Sequence, residues 1–304
     1  MDGTGTRRRV EWLCPGNRPR LVRFRGPGGH RSGRRRIPCP RPGPASHPDC
    51  FGACPDKPKR IGLAEPIPAG RSPLKLAAVF FDVTGTLIEL AEAVGPTYAR
   101  IAARHGIEVE PGRIGLAFER ALEQAKPRLF PGLPRAQIPV AERGWWRERV
   151  LETFTDEDGT LPFANFDAFF SELFDFYGGG GAWRLRGHAL PALLAVRRLG
   201  LSSGVISNFD FRLPGVLQDL EIQGFMEAVL FPARSSLAKP SAKIFQAAQA
   251  ELNLSASQCA YVGHHPTLDL ASAQAAGWHA LDINSGPASQ SLSARIEGLA
   301  RLLG

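Results

Sequence analysis

The spacing of apolar residues changes twice after about residue 74. Leu76–Phe81 (LAAVFF) is a continuous apolar run that ends at Asp82, as is typical of a strand buried on both faces. From 93 to 182 the apolar residues recur at helical spacing, until the four glycines Gly178–Gly181 break the pattern. The helices predicted for this block are Tyr98–His105, Arg113–Lys126, Ala141–Phe154 and Asn165–Tyr177.

Helical and strand-like segments alternate beyond the glycines. The predicted pairs, each a helix followed by a strand, are Ala189–Leu199 with Ser203–Ser207, Leu213–Leu220 with Ala228–Phe231, Ser241–Leu252 with Cys259–Gly263, and Leu268–Ala276 with His279–Ile283. This alternation predicts an α/β fold, a doubly wound parallel sheet with a Rossmann-like core. Because the helical block interrupts it after the first strand, we expect a core at 73–92 and 183–304 and an inserted helical cap domain at 93–182.

Residues 1–72 differ from the rest of the chain in composition. They are rich in Arg, Gly and Pro without apolar periodicity, so we expect disorder. Residues 1–73 carry 16 Lys and Arg against 5 Asp and Glu, whereas the remainder carries 21 against 24. The net charge of +8 therefore belongs to the front segment, and we expect no specific nucleic-acid partner. A basic, acid-poor segment leaves organelle targeting open.

Cysteine usage and hydropathy bear on the compartment. Four of the five cysteines lie in the front segment, where Cys50 and Cys54 lack the second pair that a four-ligand zinc site needs. Cys259 alone lies in the body, which is typical of a reducing compartment, so we expect a cytoplasmic protein. The chain has no run of about 18 apolar residues, and we expect no membrane partner. The sequence leaves the oligomeric state open.

Reactive side chains follow the predicted strands at the edge where parallel sheets bind ligands. The four segments are Phe81–Leu87 (FDVTGTL), Ile206–Asn208 (ISN), Lys239–Pro240 at a helix start, and Val262–Asp269 (VGHHPTLD). A carboxylate, a hydroxyl, an ammonium and a second carboxylate that converge on one edge can bind a phosphoryl group and attack it.

The Asp-x-x-Gly-Thr-Leu stretch after a buried strand resembles the first motif of the haloacid dehalogenase-like (HAD) hydrolase superfamily. Ser207, Lys239 and Asp269 follow in the order and settings of its other three motifs. Four motifs in order are specific for the superfamily but uninformative about substrate. Within it, residues 94–99 (VGPTYA) and 205–210 (VISNFD) resemble the group of haloacid dehalogenase-like hydrolase domain-containing protein 3. The resemblance covers residues 74 to about 290.

The resemblance implies a role for each matched residue. Asp82 would attack phosphorus and form an aspartyl-phosphate, and Lys239 would neutralise charge on the nucleophile and the phosphate. Thr86 would help to shape the loop. Ser207 and Asn208 would bind the phosphoryl oxygens. The substrate would be a small molecule.

Two positions depart from the superfamily pattern. Its phosphatases usually carry a second Asp two residues after the nucleophile as general acid and base, whereas this chain has Thr84, which cannot exchange a proton near neutral pH. The resemblance also implies Mg²⁺ held by Asp82 and Asp269. His264 replaces a further carboxylate, and imidazole suits softer divalent metals. We therefore expect Mg²⁺ to be weakly bound, replaced by another divalent metal, or absent.

The sequence leaves three functions open. The first is a phosphatase of a small phosphorylated metabolite, with activity reduced by Thr84 and His264. The second is a catalytically silent binding or scaffold protein on the same fold. The third is metal-free hydrolysis at carbon, as in the haloacid dehalogenases, which also lack the second Asp. His264 and His265 are equally compatible with packed loop residues, and Trp145 and Trp146 with packing of the cap.

Overall fold

The described residues, 76–155, 163–287 and 289–303 of a computed structural model, belong to one compact unit of the chain. The predictions made for residues 1–72 lie outside them. The strands are β1 Ala78–Phe81, β2 Ile88–Leu90, β3 Trp183–Leu185, β4 Ser202–Ile206, β5 Ala228–Leu230, β6 Cys259–Gly263 and β7 His279–Asp282. The helices are α1 Val94–Arg104, α2 Pro111–Glu123, α3 Ile138–Phe154, α4 Phe166–Gly178, α5 Ala189–Arg198, α6 Leu213–Asp219, α7 Pro232–Ser235, α8 Ala242–Glu251, α9 Ser272–Ala275 and α10 Leu292–Leu303.

The central sheet has the strand order β5-β4-β1-β6-β7, with every neighbouring pair parallel. In the middle strand, Val79 and Phe81 belong to an apolar cluster shared with α5, α6 and α10. Ala78 and Phe80 belong to a second cluster shared with α8. Both faces of β1 are therefore covered, as its continuous apolar run predicts. The doubly wound, Rossmann-like α/β core is confirmed.

Four helices, α1 to α4, lie between β2 and β3 and form the inserted cap. Their shared core is rich in aromatic rings, among them Tyr98, Phe118, Phe154 and Phe169. β2 and β3 pair antiparallel where the chain enters and leaves the cap. The inserted helical cap of the predicted fold is confirmed, whereas the exact boundaries 93–182 for the cap and 73–92 with 183–304 for the core stay a prediction.

Element boundaries differ from the sequence-based ones by a few residues. α2 begins at Pro111, two residues early, because proline is accepted in a first helical turn and the Glu110 side chain caps that turn. In place of the predicted helix Leu268–Ala276 stand a π-helical turn, Pro266–Ala271, and the short α9. The β2–β3 pair and α10 were not predicted. Every helix in the described ranges is too short or too polar to span a bilayer.

Candidate active site

The predicted reactive residues converge at the carboxyl edge of the sheet. Asp82 directly follows β1, Ser207 follows β4, and His264 follows β6. Lys239 lies in the loop between α7 and α8. All of them line one cavity between the sheet edge and the cap, with a volume of about 420 Å³. Parallel strands of a doubly wound sheet bring their carboxyl ends together in this way.

A buried ammonium bridges the two carboxylates of the site. The Lys239 Nζ donates to Asp82 Oδ1 at 2.8 Å and to Asp269 Oδ1 at 2.6 Å. The side chains of all three residues are at most 7% exposed. Asp269 Oδ2 also accepts from the backbone N–H groups of His264 and His265. Two carboxylates are thus held together by one cation, and each is presented in a fixed orientation.

The Asp82 carboxyl is ionised near neutral pH. Burial by itself would raise its pKa, but the charge of Lys239 and the hydrogen bonds from His264 and Lys239 outweigh burial and hold the pKa below its ordinary value. The Thr86 hydroxyl, fully buried, also donates to Asp82 Oδ2 at 3.1 Å. A buried carboxylate kept charged beside a cation has the electronic state that a nucleophile requires.

Tyr261, inside β6, is a member of this cluster that the sequence analysis missed. Its hydroxyl oxygen accepts from Lys239 Nζ at 3.0 Å, and its proton is donated to the Ile206 carbonyl at 2.7 Å. Tyr261 thereby fixes the third donor position of the ammonium. The only sequence signal was one hydroxyl in an otherwise apolar strand, which is equally typical of core packing.

Asn208 holds Lys239 in place through its backbone. The Asn208 side-chain amide donates to the Lys239 carbonyl at 2.9 Å, and its Oδ1 accepts from the Lys239 N–H at 2.9 Å. Asn208 therefore positions Lys239 with one of its two amide N–H groups and its carbonyl oxygen, and the phosphate contact predicted from the sequence stays a prediction. Ser207 is buried, and its Oγ accepts from the Phe209 N–H at 3.2 Å. The Ser207 hydroxyl hydrogen remains available to a ligand in the cavity.

His264 lies against the loop that carries Asp82. Its Nδ1 is 3.3 Å from Asp82 Oδ2 and 3.2 Å from the Thr86 hydroxyl. The hydrogen bond to Asp82 raises the pKa of His264 and outweighs its partial burial. The ring also covers Gly85, which has a φ of +84° and where a Cβ would lie 2.8 Å from the imidazole Cε1. Only glycine fits both this conformation and this contact.

His265 and Thr84 have different surroundings. The His265 Nδ1 accepts from the N–H groups of Thr267 and Leu268 and so caps the π-helical turn. This contact gives His265 a structural role, in contrast to His264. Thr84 is exposed and faces the cavity beside Asp82. Its side chain therefore borders the cavity next to Asp82.

Two residues just after the cap support the loop that carries Asp82, and neither was identified from the sequence. Arg186 donates from its guanidinium to the Gly85 carbonyl at 2.5 Å. His188 Nε2 lies 2.9 Å from the Thr86 carbonyl, to which it donates. Both carbonyls are thereby oriented by the segment that leaves β3. The return of the chain from the cap thus stabilises the loop that carries Asp82.

Three residues could hold a metal ion. Asp82, His264 and Asp269 each offer one ligand atom, and these atoms lie within 4.8 Å of one another. Two oxygens and one imidazole nitrogen suit a divalent transition metal better than Mg²⁺, which prefers oxygen ligands in an octahedral arrangement. Because both carboxylates already neutralise Lys239, the donor set is also short of negative charge. The residues therefore fit a divalent ion.

We expect His264→Asp to strengthen Mg²⁺ binding by at least about tenfold. The change supplies a hard oxygen ligand and a negative charge where an imidazole lies against Asp82. Titration calorimetry with MgCl₂ measures the affinity, and His264→Asn, which has a similar shape without the charge, is the matched control. Tight Mg²⁺ binding by the unaltered protein, undiminished in competition with Mn²⁺, would contradict the assignment.

Side chains of the cap form hydrogen bonds with the loop that follows β4. The Trp146 indole donates to Asp210 Oδ2 at 2.7 Å, and Glu142 Oε2 accepts from the Phe211 N–H at 2.8 Å. Arg128 donates to the Asn208 carbonyl. Since Asn208 positions Lys239, this network connects the cap with the ammonium of the site. The sequence indicated a packing role for Trp146, and the hydrogen bond to Asp210 is an additional contact.

Glu142 is a buried carboxyl within this network. Burial raises its pKa to about 7, against the hydrogen bond from Phe211 and the charge of Arg128, whose Nε lies 3.7 Å from Glu142 Oε1. The ion pair of Asp210 and Arg212 is the other charged pair beside it. The cap contact therefore contains a carboxyl whose pKa is raised into the neutral range.

We expect Glu142→Gln to stabilise the protein at pH 8 but not at pH 5. The folded state retains the Glu142 proton up to about pH 7, whereas the ordinary carboxyl pKa is 4.5. The folded state consequently loses stability as the pH rises through this window, by up to about 3 kcal/mol. Thermal unfolding at both pH values tests this, with the exposed Glu148→Gln as control. An unchanged or lower midpoint for Glu142→Gln at pH 8 would contradict it.

A doubly wound α/β protein with a buried carboxylate cluster at the carboxyl edge of its sheet and an inserted helical cap is the class that this fold and site define. The model of the haloacid dehalogenase-like hydrolase family matches residues 76–277, and the chain belongs to that family. The resemblance that the four motifs carry is thereby confirmed.

Curated relatives show which group within the family this chain resembles. Haloacid dehalogenase-like hydrolase domain-containing protein 3 of Homo sapiens is 31% identical over 213 residues, which cover 68% of this chain and 81% of that protein. The protein of the same name from Danio rerio is 30% identical over 199 residues, covering 66% and 81%. The rhythmically expressed gene 2 protein of Drosophila melanogaster is 28% identical over 217 residues, covering 69% and 83%. The predicted similarity to this group is confirmed.

Solved structures agree on the fold. A 2-haloacid dehalogenase from Pseudomonas syringae has a TM-score of 0.51 at 22% identity, covering 75% of this chain and 99% of that one. A HAD phosphatase from Thermococcus onnurineus has a TM-score of 0.50 at 17% identity, covering 75% and 98%. A HAD hydrolase from Bacillus subtilis bound to magnesium has a TM-score of 0.51 at 14% identity, covering 75% and 98%. At these identities they establish architecture rather than chemistry.

Proposed function

We propose that the protein is a phosphatase that acts on a small phosphorylated molecule through an aspartyl-phosphate on Asp82. The observation that carries this proposal is the buried Asp82–Lys239 pair, with Nζ and Oδ1 2.8 Å apart and the carboxyl kept ionised. A carboxylate is a weak nucleophile unless it is desolvated and aimed, and burial beside one cation does both. Ser207 faces the same cavity with a hydroxyl donor for a phosphoryl oxygen.

The first half-reaction transfers the phosphoryl group. An Asp82 oxygen forms a bond to phosphorus, the bond from phosphorus to the leaving oxygen breaks, and that oxygen departs with the bonding electrons. Lys239 balances the charge that collects on the phosphoryl oxygens. Since Thr84 offers no acid, the leaving oxygen takes its proton from water, and substrates with acidic leaving groups react fastest.

The second half-reaction returns the enzyme to its starting state. Water attacks phosphorus, the Asp82–phosphorus bond breaks and the carboxylate is restored, while the two protons of the water leave on the inorganic phosphate or pass to bulk water. This step needs a base to remove a proton from the water. Thr84 occupies the position beside the nucleophile but cannot act as that base. The phosphoenzyme is therefore the longest-lived intermediate, and overall turnover is slow.

A divalent metal held by Asp82, His264 and Asp269 would add positive charge beside the phosphoryl group. The residues described above bind and orient the phosphoryl group and neutralise its charge whether or not the metal is bound. Lys239 in particular contacts both carboxylates directly. We propose that the metal is a divalent transition ion rather than Mg²⁺, because of the nitrogen ligand.

The test is a screen of phosphomonoesters with Mg²⁺, Mn²⁺, Co²⁺, Zn²⁺ or a chelator. Phosphate release that is faster with Mn²⁺ or Co²⁺ than with Mg²⁺ supports the proposal. A parallel assay for halide release from a 2-haloacid covers the dehalogenase alternative. Absence of phosphate release under every condition would overturn the proposal and favour a binding or scaffold function on the same fold.

A further inference from the structure

The part of the cavity wall that belongs to the cap helices is mostly apolar, and all four of these helices contribute to it. Each helix presents residues one turn apart, at i and i+4, which lie on one face. The pairs are Val94 and Tyr98 on α1, Phe118 and Leu122 on α2, Trp146 and Val150 on α3, and Phe170 and Phe174 on α4. The cap therefore surrounds an apolar chamber that opens directly onto the nucleophile.

Charged residues at the cavity are already paired with one another. Arg212 donates twice to the Asp210 carboxylate, at 2.9 and 2.6 Å, and once to the Phe174 carbonyl at 2.7 Å. Arg128 lies over the rings of Trp145 and Trp146, with their centroids 5.4 and 5.1 Å from its guanidinium carbon. The Arg128 Nε lies 3.7 Å from Glu142 Oε1 and has no hydrogen-bond partner among the described residues. Arg212, whose donors are engaged, gains little from a polar ligand.

Polar atoms on the four helical faces are few. They are the Tyr98 and Tyr177 hydroxyls and the Trp146 indole, which already donates to Asp210. A sugar would bury several hydroxyl groups here, and each one left without a partner costs binding free energy. An alkyl or aryl group loses nothing in this environment and gains from leaving water. The chamber consequently discriminates against polyhydroxylated leaving groups.

We infer that the substrate is a phosphate monoester whose leaving group is apolar, an aryl or medium-chain alkyl group rather than a sugar. This inference rests on the proposed function and extends it by naming the substrate class. The volume of about 420 Å³ lies within the usual range of pockets that bind small organic molecules, roughly 300–1,000 Å³.

Two matched pairs of substrates test the inference. 2-Naphthyl and phenyl phosphate differ in apolar area but have leaving groups of similar acidity. n-Hexyl phosphate and a hexose 6-phosphate both release a primary alkoxide but differ in hydroxyl content. We expect kcat/KM to favour naphthyl over phenyl by roughly tenfold or more, and hexyl over hexose by a larger factor. A hexose phosphate that reacts as fast as hexyl phosphate would overturn the inference while leaving the phosphatase proposal intact.

Binding to Asp82→Asn protein separates the two proposals, because it needs no turnover. Calorimetry with the same four compounds should give the same ranking of affinities. If apolar phosphates bind but the unaltered protein releases no phosphate from any of them, the proposed function fails and the apolar site stands. If none of the four binds, or the hexose phosphate binds most tightly, the apolar site is overturned.

A conservative variant locates the effect in the chamber. Val94→Thr keeps the shape of the side chain but places a hydroxyl in the apolar wall. We expect KM for 2-naphthyl phosphate to rise at least fivefold, with kcat nearly unchanged. Val140→Thr, at a position that is 75% exposed, is the matched control and should leave both constants unaltered. Equal effects of the two substitutions would contradict the assignment of this wall to substrate binding.

Discussion

Asp82→Asn is expected to abolish both the first turnover and the steady-state release of product from an activated aryl phosphate. The change removes the nucleophilic charge while keeping the size of the side chain. Lys239 retains its 2.6 Å contact with Asp269, so the buried ammonium keeps a charged partner and the fold is preserved. We expect a loss of roughly 10⁴ to 10⁶ in rate, the scale seen when a covalent nucleophile is removed.

Stopped-flow detection of the aryl alcohol measures this loss. The control is Asp167→Asn, an aspartate on the cap whose side chain is 72% exposed and whose removal breaks only a surface ion pair with Arg147. That variant should retain full activity. If the activity of Asp82→Asn lay within tenfold of that of the unaltered protein, Asp82 would not be the nucleophile. The proposed aspartyl-phosphate would then be wrong.

The second large effect concerns Thr84. Thr84→Asp is expected to raise steady-state turnover by about 10² to 10⁴, the usual contribution of a positioned general acid or base. The exposed position beside the nucleophile leaves room for a carboxylate that faces the cavity. The initial burst of aryl alcohol should shrink at the same time, because the phosphoenzyme no longer accumulates.

Thr84→Asn separates proton transfer from mere shape. Its side chain has the size of aspartate but cannot exchange a proton, so its turnover should stay at the level of the unaltered protein. Burst and steady-state rates measured for all three proteins decide the point. Equal acceleration by Asn and Asp would mean that the loop geometry, rather than a missing base, limits dephosphorylation.

The sequence predicted the fold well because the core leaves a periodic pattern. Leu76–Phe81 reads as a doubly buried strand, and Ala78–Phe81 is the middle strand of the sheet. The π-helical turn Pro266–Ala271 was not foreseen, because a short turn with a proline near its start has the composition of an ordinary helix start. The β2–β3 pair was missed because strands of three residues are too short to show alternation.

The sequence identified the site residues whose motifs fall at or near strand ends. It missed the residues that stabilise the site from other parts of the chain. Lys239 contacts Asp82 and Asp269 because the three segments that carry these residues lie at the carboxyl edge of the sheet, although Lys239 itself comes from the loop between α7 and α8. Arg186 and His188 donate to backbone carbonyls of the loop that carries Asp82, which lies 101 and 102 residues earlier in the chain. No local sequence pattern encodes such contacts. Long-range contacts of single side chains are what the sequence does not reveal.

Rapid-quench labelling with an activated, radiolabelled aryl phosphate tests the central claim most directly. We expect an acid-stable, alkali-labile phosphoenzyme that forms within the burst, decays slowly and maps to Asp82. The Asp82→Asn protein should form no such phosphoenzyme. If no acid-stable phosphoenzyme is found with Mg²⁺, Mn²⁺, Co²⁺, Zn²⁺ or a chelator, the claim that Asp82 is a phosphoryl acceptor is contradicted.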